Sequence, residues 1–267
     1  MNNKKRADFI KRAERWHINQ SHERELTDYQ PFFTVRDVPS LGRCHRIPSW
    51  SIGRLHHLFS DLEASVFYVA DYSSAIIDIR EQYPLMPVEE TIAISDEIGV
   101  RHPAHDGRIH VMSTDLLLTR SGGKLDPVCI KLSSEFEIQR TREKLEIERV
   151  YWARRGLQLR FVTEKQISRP LVRAVAWVHA YREPEGLHVG HYPIEQVIQG
   201  LDGLFEHDRS LPLSVAGRHL DSDFGLSPGR TLAVARHAIA RRHWRLDLRR
   251  GIDTLQPLPW MAEVSNK

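Results

Sequence analysis

Asp115 and Lys131 each interrupt an apolar run, "VMSTDLLL" and "PVCIKL", and the runs are joined through the turn residues Ser121-Gly122-Gly123-Lys124. Side chains alternate along a strand. Val111, Ser113, Asp115 and Leu117 therefore share one face of the first run, and Cys129 shares a face with Lys131 in the second. If the runs pair as a hairpin, the carboxylate and the amine come close on one side. A register slip of one residue would separate them. Glu63 is a second acid of interest. Each of the three has an ordinary structural reading. Asp115 and Lys131 suit a weak ion pair or a solvated face. Ser60-Asp61-Leu62-Glu63 fits a capping box, with Glu63 bonding back to the backbone of Ser60. Taken together, the three suit different chemistry. Two carboxylates hold a hard divalent cation such as Mg2+, with Mn2+ as a substitute, through oxygen ligands. A lysine beside them orients or deprotonates a water, or offsets charge on a phosphate under attack. The metal lowers the pKa of its water and neutralises the transition state. Such a set is equipped to cut a phosphodiester.

The elements that must position these groups are legible in outline. "SDLEASVFYVADYSS" reads as a helix, with Leu62, Val66 and Val69 at helical spacing. "AIIDIREQYPL" reads as a strand rich in β-branched residues. The hairpin follows, with strands near 110–118 and 127–132. "EIQRTREKLEIERVYWARRG" reads as a long helix with Ile138, Leu145 and Trp152 on its apolar stripe and Gly156 as its cap. "LQLRFVTE" alternates as a strand. The order is that of an α/β unit, a mixed sheet covered by helices. An acid on a helix, an acid on a strand and x-x-Lys on the next strand is the layout of the restriction-endonuclease-like fold.

Composition bounds the class. The chain has 267 residues, 41% hydrophobic and 27% charged, with a net charge of +3. That is ordinary for a globular protein of one large domain or two modest ones. No apolar run approaches the roughly 20 residues of a membrane span, and the N-terminus lacks the apolar core of a signal peptide. A cytoplasmic protein with no membrane partner is expected. Two cysteines, Cys44 and Cys129, build neither a disulfide framework nor a cysteine zinc site. His56, His57, His102, His105 and His110 have no cysteine support or helical His-x-x-x-His frame, so a zinc site is not expected.

Three parts are expected: an irregular, basic arm over 1–50, a catalytic domain over 51–170, and a linker helix with a further domain over 171–267. The last part reads as helix, turn at Phe224–Gly229, helix and a strand at Trp244–Leu248, the pattern of a winged helix. Seven arginines crowd "RTLAVARHAIARRHWRLDLRRG" against the single acid Asp247. Arg230, Arg236, Arg241 and Arg242 are therefore candidates for phosphate contact. So are His57, just before the Glu63 helix, and Arg80 and Gln82 on the strand bordering the cleft. Support of the fold is the competing role for each, and winged helices also bind proteins.

The chain resembles the TnsA family, the transposon-end endonuclease subunits of heteromeric transposases. "GRLHHLFSDLEASVFYVADYSSAIIDIREQYPL", "VMSTDLL" and "RTREKLEIERVYW" carry the resemblance, in order, across much of 30–170. It implies that Glu63 and Asp115 are metal-binding carboxylates and that Lys131 is catalytic, with the Ile130 backbone carbonyl or an ordered water left to serve as a further ligand. It implies cleavage of double-stranded DNA at the 5′ ends of a transposon, beside a TnsB-type transposase and a TnsC-type ATPase. One position departs from the family. Where an oxygen-bearing Glu, Asp or Gln is usual, this chain has Cys129, and a thiol suits magnesium poorly. A DNA-bridging, partner-recruiting module with a weak or inactive site is thus the alternative from another class. A stand-alone restriction or repair nuclease is a third.

Overall fold

The computed structural model describes residues 25–37, 43–105, 108–184, 187 and 192–262. The basic run at Lys4–Arg15 lies outside the described residues. The chain divides into two units with a break between Ile167 and Ser168.

The first unit runs β1 (His45–Pro48), β2 (Leu55–Leu58), α1 (Asp61–Tyr72), β3 (Ile76–Pro84), α2 (Val88–Glu97), β4 (Ala104–His105), β5 (Arg108–Ile109), β6 (Ser113–Arg120), β7 (Leu125–Ile130), α3 (Gln139–Ala153) and β8 (Arg160–Val162). Its main sheet has the order β3-β6-β7-β8, while β1/β2 and β4/β5 form separate ribbons. β3/β6 and β6/β7 are antiparallel and β7/β8 is parallel, so the sheet is mixed as expected.

Both faces of this sheet are buried, which is why β6 reads as the near-continuous apolar run "LLL". Leu116, Leu118, Val128 and Ile130 pack with Ala64, Phe67 and Ala70 of α1. Leu117 and Cys129 pack on the other side with Leu145, Ile147, Tyr151 and Trp152 of α3 and Ile94 of α2. Period-2 alternation distributes adjacent side chains to opposite cores. The buried face of α1 is Glu63, Ala64, Phe67, Ala70 and Asp71. The expected stripe of Leu62, Val66 and Val69 is only half-buried at its flank.

The expected arm over 1–50 is partly core. Tyr29, Phe32 and Phe33 are buried with Met86 and Val111, and the Tyr29 hydroxyl donates to the Glu81 carbonyl at 2.8 Å. Aromatic burial overrides the turn-rich composition there. Helix α2 was not foreseen.

The second unit contains α4 (Arg169–His179), α5 (Ile194–His207), α6 (Leu213–Asp223) and α7 (Arg230–Ala240). Its core joins Val175, Val178, Val197, Leu201, Phe205, Leu213, Leu220, Val234 and Ile239. Helices α6 and α7 and the turn between them fall where the sequence places them. Asp221 closes that turn from α6, accepting the Gly229 and Thr231 amides at 2.6 and 2.8 Å. It caps α7, whose N-cap glycine lies at φ +84° and has no side chain of its own. The strand expected at Trp244–Leu248 is not formed. Leu246 makes one isolated bridge with Trp260, and Leu248–Arg250 is a 3-10 turn. The helix-turn-helix is therefore present, and no β-ribbon follows it among the described residues. Among the described residues, no helix is long and apolar enough to cross a membrane.

Candidate active site

Regular pairing of β6 and β7 ends at Leu116↔Val128. Asp115 is the next residue outward. Its Oδ2 accepts the Ile130 amide at 2.6 Å and the Lys131 ammonium at 2.9 Å. Lys131 Nζ also donates to the Ile130 carbonyl at 3.0 Å. The hairpin register is thus the one that joins the two charges, not the slipped one. Burial alone would pull the Lys131 ammonium down, but Asp115, with smaller contributions from Cys129 and Glu148, makes the net shift upward. Lys131 therefore holds its proton at neutral pH. As it stands, it is a charge donor, not a base.

Glu63 is buried near the start of α1. The cap is real but differs from the expected form. The Ser60 hydroxyl accepts the Glu63 amide at 3.1 Å and donates to Oε1 at 3.0 Å. Oε2 takes the Phe59 amide at 3.0 Å rather than the Ser60 amide. The structural and chemical readings of Glu63 are therefore compatible, since the cap fixes the carboxylate without exhausting its lone pairs. Burial first, then the Asp115 charge, pushes Glu63 up to about 7. The Asp115 charge opposes ionisation of Glu63, a cost that a cation would relieve.

Sequence reasoning missed Glu148 on α3. It is fully enclosed and accepts the Thr114 hydroxyl at 2.7 Å, which in turn takes the Trp152 indole N–H at 2.7 Å. Burial, then Asp115, pushes it up to about 8. One signal was present: Glu148 stands between Leu145 and Trp152 on the apolar stripe, where a carboxyl is out of place. Among the described residues, no three His, Cys, Asp or Glu side chains converge as a ready-made metal centre. What the site offers is two carboxylates, Glu63 and Asp115, with the Ile130 carbonyl adjacent to Asp115. All are hard oxygen donors. Cys129 is in the apolar core, and burial, reinforced by Glu148 and Asp115, pushes its thiol up, so it supplies no thiolate.

The other candidates fall into two groups. Gln82 is buried, with φ at +49°. Its amide donates to Glu63 Oε2 at 3.3 Å and accepts the Ser113 hydroxyl at 3.2 Å. It supports the acid and is not presented to DNA. Glu81 is locked by Arg54 at 2.6 Å, His56 at 2.9 Å and the His57 amide at 3.1 Å. Burial would raise the Glu81 carboxyl, yet His56 and Arg54 bring it down to about 2. Arg80 is 3% exposed and engages Asp78 and Thr119 inside the fold. His57 accepts the Val35 amide at 3.4 Å, and burial lowers its pKa, leaving the ring neutral at pH 7. In the second unit, Arg236 donates to the Trp177 carbonyl and lies 3.7 Å from the centre of the Tyr181 ring, so its guanidinium is used internally. Arg230, Arg241 and Arg242 are exposed. The structure thus brings Glu63, Asp115, Lys131 and Ile130 together and leaves Arg80, Gln82 and Arg236 with internal roles.

Comparison with known proteins agrees with the division of the chain into two units. A family model described as TnsA-like endonuclease N terminal matches residues 73–164, a span that holds Asp115, Lys131 and Glu148 but not Glu63. A second, TnsA endonuclease C terminal, matches 166–248. The two spans meet close to the break at Ile167. The transposon Tn7 transposition protein TnsA of Escherichia coli is 40% identical over 160 residues, covering 59% of this chain and 58% of that protein. The match therefore spans less than two thirds of that relative. With both of the family's domains present in order, and a relative of this identity, the chain belongs to the TnsA family.

Proposed function

We propose that this chain is a magnesium-dependent endodeoxyribonuclease that cleaves the 5′ ends of a transposon during cut-and-paste transposition. In this reading it works beside a TnsB-type transposase and a TnsC-type ATPase. One observation carries the reading: Asp115 Oδ2 holds both the Lys131 ammonium and the Ile130 amide, within electrostatic reach of the buried acid Glu63.

The donor set fits a hard cation. Glu63, Asp115 and the Ile130 carbonyl would hold it, with Mn2+ able to replace Mg2+. When bound, the cation would lower the pKa of a coordinated water and offset charge on the phosphate. Lys131, fixed in its protonated form, places a positive charge where negative charge gathers on the phosphate oxygens. Asp115 orients that ammonium and neutralises it in the free protein. Glu63 stands near half-protonation at pH 7 and gives up its proton when positive charge enters the site. Gln82 holds the Glu63 carboxylate in place through that change.

Cys129 favours a second reading, a DNA-bridging subunit with a weak or inactive site, because its thiol offers no oxygen to a third ligand position. Titration calorimetry with manganese separates the two. Measurable binding that disappears in Glu63→Ala supports the nuclease. Absence of binding by the intact protein contradicts it.

A further inference from the structure

The strand ladder sets Gln82 beside both acids of the site. Glu81 pairs with Leu116 and Tyr83 with Thr114, so Gln82 stands opposite Asp115 in the register of β3 and β6. Its side chain reaches across to α1 and donates to Glu63 Oε2 at 3.3 Å. Gln82 is itself out of the ladder and lies at φ +49°, far from strand geometry. Regular pairing therefore does not aim its amide. Among the described residues that amide has two partners: the Glu63 carboxylate at its nitrogen end, and the Ser113 hydroxyl at its oxygen end, at 3.2 Å.

Ser113 stands two residues before Asp115 on β6, and alternation puts both on one face. Both are half-buried, on either side of the buried Thr114. Among the described residues the Ser113 hydroxyl has no partner except Gln82. The two ends of a side-chain amide are alike in shape and opposite in hydrogen-bonding sense. A carboxylate on Glu63 requires the nitrogen end. The carbonyl oxygen of this buried side chain must then be satisfied elsewhere, and Ser113 satisfies it. One strand thus carries Asp115 and, two residues away, the group that supports the other acid through Gln82.

We infer that Ser113 is a positioning residue of the cation site. By holding the oxygen end of the Gln82 amide, it keeps the nitrogen end on Glu63 and fixes that carboxylate relative to Asp115. This rests on the nuclease reading above. Ser113 acts only through Gln82, as an outer partner that orients a ligand.

The test is titration calorimetry of the full chain, cleared of divalent cations, with manganese chloride. Wild type is compared with Ser113→Ala, Ser113→Thr, Gln82→Ala and the double variant Ser113→Ala/Gln82→Ala. Ser113→Ala should weaken manganese binding roughly three- to tenfold, a smaller loss than removal of the Gln82 amide itself. Ser113→Thr keeps the hydroxyl and should bind nearly as wild type does, a rescue that a purely structural serine would not show in metal affinity. The double variant should bind no more weakly than Gln82→Ala, because a group that acts through Gln82 has nothing left to act on. Thermal melting of each variant confirms that it is folded at the titration temperature. Ser113→Cys, a weaker donor, carries the same comparison if Ser113→Ala is not. If wild type binds manganese and Ser113→Ala binds equally well, the inference falls while the nuclease reading stands. The same holds if Ser113→Thr binds as weakly as Ser113→Ala, or if the two substitutions weaken binding additively. If wild type binds no manganese, both fall.

Discussion

Asp115 accepts the amide of Ile130 at 2.6 Å, one step beyond the last paired register of β6 and β7. A side-chain carboxylate thus takes the place of a ladder carbonyl where the hairpin strands stop pairing. The same oxygen holds Lys131, so the end of the sheet and the charge pair are one feature. Asp115→Asn should keep the amide contact in part and lose the ion pair. Its melting temperature should fall by only a few degrees, as expected for about 1–2 kcal/mol, while cleavage should be lost. Thermal melting and a cleavage assay on the same preparation check both halves.

Stability without divalent cations should fall as pH rises from about 4.5 towards 8. Glu63 at about 7 and Glu148 at about 8 both bind protons more tightly folded than unfolded, where the carboxyl titrates near 4.5. Their unfolding releases protons across that window, so their contribution declines with pH, by an amount on the order of a few kcal/mol in total. Glu81, brought down to about 2, acts oppositely: its contribution is present above about 4.5 and is lost as pH falls through about 2. Denaturant titrations at intervals of pH check this. Glu148→Gln should flatten the decline above pH 4.5, and an unchanged slope would contradict the assignment.

Gln82 is expected to act through Glu63. Removing its amide in Gln82→Ala should weaken manganese binding roughly 10- to 100-fold, as for other groups that orient a ligand. DNA affinity in the absence of cation should not change, because the side chain is buried. Calorimetry with manganese and anisotropy in chelator measure the two effects separately. A loss of DNA affinity in chelator would restore the phosphate-contact role read from the sequence.

Asp221 is expected to matter for the second unit alone. Asp221→Ala removes two bonds to the start of α7. The cost should be about 2 kcal/mol, at the upper end for a cap. Hydrogen exchange should report faster opening of α6 and α7, with the β6 and β7 amides unchanged.

The hairpin that carries Asp115 and Lys131 was legible because strands and helices carry different periods. Asp115 and Lys131 each break an apolar run at a position that alternation assigns to a face, and the glycine turn joins the runs. Glu63 as a site acid was legible only through the resemblance to the TnsA family, since its place in a capping sequence argues for a structural role. Glu148 was not singled out, because α3 is dense with acids and nothing in composition separates a buried carboxyl from its solvated neighbours. Position on the Leu145–Trp152 stripe separates it. For Gln82 both fold support and phosphate contact were open, and its burial favours support; its contact with Glu63 was not legible, because it joins distant segments of the chain. Helix α2 escaped notice because Val88, Thr91, Ile92 and Ile94 are β-branched, which favours strands locally. Its signals were Pro87 before the first turn, Glu89 and Glu90 within it, and Gly99 beyond its end. The missing ribbon after α7 reflects the weakness of short strand patterns: Trp244, Leu246 and Leu248 alternate and are buried, yet they pack without a paired strand.

Strand-specific cleavage of a labelled transposon-end duplex, with the partner transposase and magnesium present, tests the central claim most directly. The account predicts cuts at the 5′ end by wild type, with loss of at least about 100-fold in Asp115→Ala, the order expected when a group that stabilises the transition state is removed. Equal cutting by Asp115→Ala and wild type would contradict it.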